Sequence, residues 1–168
     1  MKKRIAICYS GMLRGDFQKC FETFKKHVLD VFIKAGYEFD IYIHTWNFIE
    51  DGHGKYTGKY TEICDKDESI EKQLSIFNAK DFLIETFQLF EIPKQMIGLC
   101  TKVDANKCPK DSWHRNVSDR YGIYKANELR NKYASIEYEY VIRNRFDNYF
   151  VKDFNLNFLC TEKLYLSS

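Results

Sequence analysis

Apolar and polar positions alternate along the chain in two patterns that together predict an α/β fold. Unbroken apolar runs, such as residues 5–8 and 140–142, are typical of strands covered on both faces. Apolar positions three and four apart, as between Phe17 and Ile33, are typical of helices with one buried stripe. The patterns predict strands over 3–9, 39–43, 81–87 and 138–144, and helices over 16–33, 69–77 and 118–133. We therefore expect one domain, with a Rossmann-like, mainly parallel sheet and flanking helices.

Turn-forming residues and polar stretches separate these elements. Ser10-Gly11 is expected to end the first strand, Asp16 to cap the first helix, and Ala35-Gly36 to end that helix. The remaining predictions are loops over 51–61 and 91–110, and one or two short strands within 158–166.

Composition and charge narrow the class of protein. The chain has 168 residues, and its hydrophobic fraction of 45% suits a packed core rather than a disordered chain. Its 26 basic and 24 acidic residues leave a net charge of +2, which argues against a nucleic-acid partner. The apolar run behind the basic N-terminus is too short for a secretion signal or a membrane helix. We expect a soluble, cytoplasmic protein with no membrane span.

Polar groups follow three of the predicted strands, at the edge where ligands bind to an open parallel sheet. The first group is Ser10-Gly11-Met12-Leu13-Arg14. Its glycine lets a ligand approach the backbone, and its arginine offers a fork of donors that suits phosphate. The alternative is an ordinary turn with a solvated arginine. The segment matches neither G-x-G-x-x-G nor a P-loop.

Two further groups are candidates for contacts with a bound ligand. His44-Thr45-Trp46-Asn47 sets a flat aromatic beside hydrogen-bonding side chains, which suits a base or a sugar; packing at the strand end is the alternative. Tyr121, Lys125 and Glu128 lie on one helix face, from which Lys125 would reach a phosphate or a sugar hydroxyl. Otherwise Lys125 and Glu128 form a solvated pair.

The polar residues that follow the strand predicted over 138–144 are the most informative. Side chains alternate along a strand, so Arg143, Arg145 and Asp147 point to one side if the strand persists. A pyrophosphate would satisfy the two guanidinium groups, and the aspartate would hold a magnesium or manganese ion that bridges the phosphates. A local ion-pair cluster that merely closes the strand is the alternative.

Four segments in this order resemble a family of small glycosyltransferase-like proteins with a GT-A fold, found in large DNA viruses and bacteria. They extend over most of the chain from residue 3 to about 150. The matching segments are Ser10-Gly11-Met12-Leu13-Arg14 with its strand, residues 39–47, residues 121–127 and residues 140–147.

The resemblance implies a nucleoside diphosphate sugar donor and a divalent cation, Mn²⁺ or Mg²⁺. GT-A enzymes hold the cation with an Asp-x-Asp motif, and here Arg145-Phe146-Asp147 stands at that place. Asp147 would then be the metal ligand and Arg145 would neutralise phosphate directly. Ser10, Gly11 and Arg14 would lie near the nucleotide, and Lys125 near the diphosphate.

These observations predict a glycosyltransferase that transfers a sugar to a hydroxyl of a glycan or another acceptor. The predicted catalytic residues are Arg143, Arg145 and Asp147, because fixed cations stabilise the charge of a departing diphosphate. A general base is not identified, and only a short C-terminal segment follows Asp147, so we expect either a minimal acceptor site or a truncated or split enzyme. The alternatives are a catalytically silent nucleotide-sugar- or partner-binding remnant of this fold, or another α/β enzyme such as a phosphohydrolase or a methyltransferase.

Overall fold

A computed structural model describes residues 3–14, 16–50, 69–86, 90, 110–133 and 135–159 of the chain. Within these ranges the strands are β1 (Arg4–Arg14), β2 (Glu38–Glu50), β3 (Asp81–Glu85) and β4 (Tyr140–Asn144). They form one four-stranded sheet in the order β3-β2-β1-β4, and all neighbouring strands are parallel. The predicted α/β class with a parallel sheet is confirmed.

Helices precede three of the four strands. Before β2 lie α1 (Phe17–Phe24), a π-helical turn (Lys25–Leu29) and α2 (Asp30–Lys34), which follow one another without a break. Before β3 lie α3 (Ile70–Leu74) and a 3₁₀ turn (Ser75–Phe77), and before β4 lies the long helix α4 (Lys110–Asn131). Among the described residues, no helix has both the length and the apolar composition that crossing a membrane requires.

The first strand is longer than predicted. Ser10-Gly11 does not end β1, which continues to Arg14 and stays paired with β2. The pairing register shifts between Gly11 and Leu13, and Gly11 has a φ of +120° that residues with a side chain rarely adopt. A glycine at this point therefore produces an irregularity in the strand rather than its end.

Other boundaries also differ from the predictions. Asp16 stands before α1, but its side chain makes no capping hydrogen bond. α4 begins at Lys110, before the predicted start at 118. Residues 156–158 form a 3₁₀ turn instead of the predicted short strand, and residues 160–166 lie outside the described part, as do the predicted loop 51–61 and residues 91–109.

Each face of the sheet packs against a different helical layer. On one face, Ile5, Ile7 and Tyr9 of β1 belong to an aromatic-rich core with α1 and α2. On the other face, Ala6 and Cys8 of β1 pack against α4. The alternation along β1 thus assigns its even-numbered side chains to α4 and its odd-numbered side chains to α1 and α2.

The strand order reverses at one position, between β1 and β4. Going from β1 to β2 to β3 the chain moves to one side of β1, whereas β4 lies on the other side. The helices between β1 and β2 pack on one face of the sheet, whereas α4, which leads into β4, packs on the other face. In open α/β sheets this reversal point, at the carboxyl ends of the strands, is where ligands bind.

Candidate functional site

The carboxyl end of β4 is held against β1 by two side chains that point into the core. Asn144 is buried opposite Tyr9, and its Nδ2 donates a hydrogen bond of 2.9 Å to the Tyr9 hydroxyl. The ring of Phe146 stacks on the ring of Tyr9, with centroids 5.2 Å apart. Because Asn144 and Phe146 face this core, Arg143 and Arg145 face the α4 side.

Arg143 and Arg145 form a connected series of ion pairs with two aspartates, which we call the arginine–aspartate chain. Arg143 Nη2 lies 3.1 Å from Asp119 Oδ2, and Arg145 Nη1 lies 3.9 Å from Asp119 Oδ1. Arg145 also donates from Nε and Nη2 to the two oxygens of Asp147, at 2.9 and 3.0 Å. The predicted grouping of Arg143, Arg145 and Asp147 is thus present, although β4 itself ends at Asn144.

The arginine–aspartate chain is half-buried and balanced in charge. The Arg143 side chain is 17% exposed, and the Arg145 side chain is 36% exposed. Two guanidinium groups face two carboxylates, so the chain has no net charge as it stands. A negatively charged ligand at this place would compete with carboxylates that already occupy the guanidinium donors.

β1 continues past the end of β4, from Ser10 to Arg14. Gly11 accepts a hydrogen bond of 2.9 Å at its carbonyl from the buried Thr45 hydroxyl, which connects β1 to β2. Ser10 is buried on the α4 side, and its hydroxyl has no hydrogen-bond partner among the described residues. Arg14 ends β1 opposite Glu50, and its side chain lies outside the described part.

A second polar group, which we call the histidine–glutamate cluster, joins His44 in the middle of β2 to Glu85 at the end of β3. His44 Nε2 lies 2.8 Å from Glu85 Oε2, and Tyr121 of α4 donates a hydrogen bond of 3.2 Å to Glu85 Oε1. His44 is fully buried, and this burial lowers its pKa more than the nearby Glu85 raises it. The cluster therefore holds a neutral imidazole between a carboxylate and α4.

The predicted aromatic contacts of Trp46 are packing contacts in this structure. Trp46 is buried, and its ring lies nearly parallel to that of Tyr121 with centroids 5.8 Å apart. It also meets the ring of His44 edge to face. Phe90 packs against Tyr121 from another side. These ring contacts pack Trp46 against the side chain of Tyr121 on α4.

Lys125 points to other residues of its own helix. Its ammonium group lies 2.9 Å from Glu128 Oε2, and 5.4 Å from the centre of the Tyr121 ring. The hydrogen bond to Glu128 raises the pKa of Lys125. This is the pairing on the helix surface that was the alternative to a contact with phosphate.

The described residues do not fit a divalent cation. Both oxygens of Asp147 accept hydrogen bonds from Arg145, and both oxygens of Asp119 face a guanidinium group. Within the described ranges, no group of three or more His, Cys, Asp or Glu side chains is arranged to hold a metal ion. The cation implied by the family resemblance stays a prediction, and the proposed roles of Arg143 and Arg145 do not depend on it.

Three residues of the site were not identified from the sequence. Asp119 lies at the start of the helix predicted over 118–133, and Glu85 lies within the strand predicted over 81–87. An acid inside an apolar run was the available signal for Glu85, but its partners are distant in sequence. Gly122 of α4 lies against His44 and Ser10: a Cβ atom at Gly122 would be 3.1 Å from His44 Nδ1.

Comparisons of the chain with models of protein families, with curated proteins and with solved structures found no match. The fold and the geometry of the strand ends therefore carry the functional argument.

Proposed function

We propose that the protein binds a nucleoside diphosphate sugar at the carboxyl ends of β1 and β4 and acts as a glycosyltransferase. The observation that carries this proposal is the position of Arg143 and Arg145. Arg143 lies in β4 and Arg145 directly after it, beside the point where the strand order reverses. Guanidinium forks are well suited to the oxygens of a diphosphate.

Arg143 and Arg145 would stabilise the leaving group of the transfer. The bond between the anomeric carbon and the diphosphate breaks, a bond from that carbon to the acceptor hydroxyl oxygen forms, and the hydroxyl proton is released. Negative charge grows on the departing diphosphate, and donors already in place stabilise that charge without having to reorganise. Arg143 and Arg145 are the cations that the structure holds at this edge of the sheet by ion pairs to Asp119 and Asp147.

A GT-A type of fold and a sugar donor are the finer parts of this proposal. The four-stranded parallel sheet supports the broader α/β class, and the similarity of the four sequence segments supports the GT-A type. The same similarity supports the involvement of Ser10, Gly11 and Arg14 near the nucleotide. Ser10 and Gly11 pair with β2 directly after the part of β1 that pairs with β4, and this position near the reversal point supports the proposal.

Binding is tested by calorimetric titration of nucleoside diphosphates and their sugars into the protein and its variants. Because an ionic hydrogen bond lost at the ligand weakens binding, Arg143→Gln and Arg145→Gln should each lower affinity roughly ten- to hundredfold. Arg4→Gln is the matched control, since Arg4 lies at the opposite end of β1 and is also ion-paired, to Glu38 and Asp40. Equal affinity in all four proteins would remove this site.

A catalytically silent binding protein is the second candidate. It is favoured by the ion pairs of Asp119 and Asp147, because a carboxylate that contacts a guanidinium group is less available to take the proton of an acceptor hydroxyl. Turnover distinguishes the two candidates: release of free diphosphate from a bound donor, with or without Mn²⁺, supports the enzyme. Tight binding without release across donors and acceptors supports the silent protein.

A further inference from the structure

We propose that the carboxylate of Asp147 occupies, in the free protein, the place on Arg145 that a phosphate group of the ligand takes. The inference rests on the proposed diphosphate site and deepens it, since it assigns Asp147 the role of a displaceable internal anion. In this arrangement Arg145 contacts the phosphate directly and Asp147 does not coordinate a cation.

The geometry of the Arg145–Asp147 pair is that of a ligand contact. Nε and Nη2 of Arg145 donate in parallel to the two oxygens of Asp147 at 2.9 and 3.0 Å. This two-point arrangement is the one that guanidinium groups form with both carboxylates and phosphates. A phosphate that approached Arg145 along the same edge would replace both hydrogen bonds at once.

Asp147 lies in a turn, from which its carboxylate can move, although its side chain is less exposed than that of Asp119, at 26% against 34%. It lies two residues after Arg145, in a turn beyond the end of β4, where Asn148 N and Arg145 O are 3.5 Å apart. Its side chain is 26% exposed, so water can solvate the carboxylate after it leaves Arg145. Asp119 belongs to α4 and bonds to both arginines, so its displacement would disturb two ion pairs.

Charge balance gives the driving force. The arginine–aspartate chain is neutral without a ligand, because two guanidinium groups face two carboxylates. A diphosphate added while both carboxylates stay in place would face them as like charges at short range. Movement of Asp147 into solvent relieves this repulsion and makes the hydrogen-bond donors of Arg145 available to the ligand.

The two roles of Asp147 predict opposite effects of one substitution. If Asp147 holds a cation for the ligand, Asp147→Asn weakens binding in the presence of the metal ion. If Asp147 competes with the ligand for Arg145, Asp147→Asn strengthens binding in the absence of the metal ion, because the amide is a neutral and weaker partner for a guanidinium group.

The experiment titrates inorganic pyrophosphate into the full chain by calorimetry, with EDTA present and then with Mn²⁺ instead. We expect Asp147→Asn to bind about tenfold more tightly than the unmodified chain in EDTA. Asp153→Asn is the matched control: it removes the same charge a few residues later, where Asp153 contacts His27 on the opposite helical layer. The control should change affinity by less than about twofold.

Folding of each variant is checked by thermal unfolding, and Asp147→Ser provides a second substitution that removes the carboxylate. If both variants bind pyrophosphate no more tightly than the unmodified chain, or bind it more weakly with Mn²⁺, the competing role of Asp147 is wrong. The diphosphate site itself still stands in that case, provided that the unmodified chain binds and Arg145→Gln does not. If none of the proteins binds pyrophosphate or a nucleoside diphosphate, both proposals are overturned.

Discussion

His44 shows how a buried position determines the protonation state of a side chain. Its ring is fully buried between β2 and α4, and burial lowers its pKa despite the opposing effect of Glu85. Since Nε2 faces the Glu85 carboxylate, which accepts hydrogen bonds, the proton of the neutral ring belongs on Nε2. Nδ1 then faces Gly122 with no partner among the described residues.

The lowered pKa of His44 predicts that the protein loses stability in mild acid. As pH falls below the ordinary histidine value of 6.5, the unfolded chain binds a proton at His44 that the folded chain does not bind. The free energy of unfolding, measured in urea at a series of pH values, should therefore fall as pH decreases from 7 through 6. In His44→Gln this decrease should be smaller.

His27→Gln is the matched control for this experiment. His27 contacts the exposed Asp153 on the other side of the sheet, so this variant loses a histidine without changing the buried one. Because this variant keeps His44, its free energy of unfolding in mild acid should decrease as steeply as that of the unmodified chain. An equally steep decrease in His44→Gln would show that the buried imidazole does not titrate as we infer.

At the scale of elements, the helical connection between β1 and β2 combines a row of buried apolar side chains with a glycine at its end. The three consecutive pieces from Phe17 to Lys34 bury a row of apolar side chains against the sheet, as the spacing in the sequence predicts. The connection ends at Gly36, whose N–H donates to the carbonyl of Ile33 while its φ is +85°. Gly36 thereby allows the chain to turn into β2.

Gly36→Ala should lower the free energy of unfolding by about 1 kcal/mol, because alanine resists a positive φ. A Cβ atom at this position would meet no atom within 4 Å, so backbone strain is the single cause. Gly36→Asn is the control, since asparagine tolerates this conformation and should lose less stability. Chemical denaturation measures both. Equal losses in the two variants would contradict a backbone origin.

At the scale of the whole molecule, the position of α4 determines which polar groups meet. α4 crosses the face of the sheet that carries Ser10 and His44, and at Gly122 it packs directly against both side chains. The same helix supplies Asp119 to Arg143 and Tyr121 to Glu85. A change in the distance between α4 and the sheet would therefore affect both polar clusters together.

Gly122→Ala tests this close packing. The added Cβ would lie 3.1 Å from His44 Nδ1, so the helix or the ring must move, and we expect a loss of about 1–3 kcal/mol in the free energy of unfolding. In a His44→Ala background the ring is absent, and the same substitution should stabilise α4 by up to about 1 kcal/mol. Chemical denaturation of the four proteins forms a double-mutant cycle. A loss in both backgrounds would place the clash elsewhere.

The amino-acid sequence by itself determined the elements and which strand ends carry polar groups. The apolar runs and helical stripes are local patterns, so strands, helices and the stop at Gly36 follow from them without knowledge of the fold. The alternation along β4 predicted one side for Arg143, Arg145 and Asp147 if the strand persists, but β4 ends at Asn144, and Asp119 and the turn after the strand connect these residues. It did not predict that Arg145 donates hydrogen bonds to both carboxylate oxygens of Asp147, because that geometry requires the turn after Asn144.

Only the tertiary structure decided the partners of these groups. Asp119 lies 24 residues before Arg143, and Glu85 lies 41 residues after His44, so neither pair follows from a local period. Which side chains meet depends on the strand order, on the register and on the rotation of α4 against the sheet. Those depend on packing over the whole core, and the approach of α4 at Gly122 is one such contact.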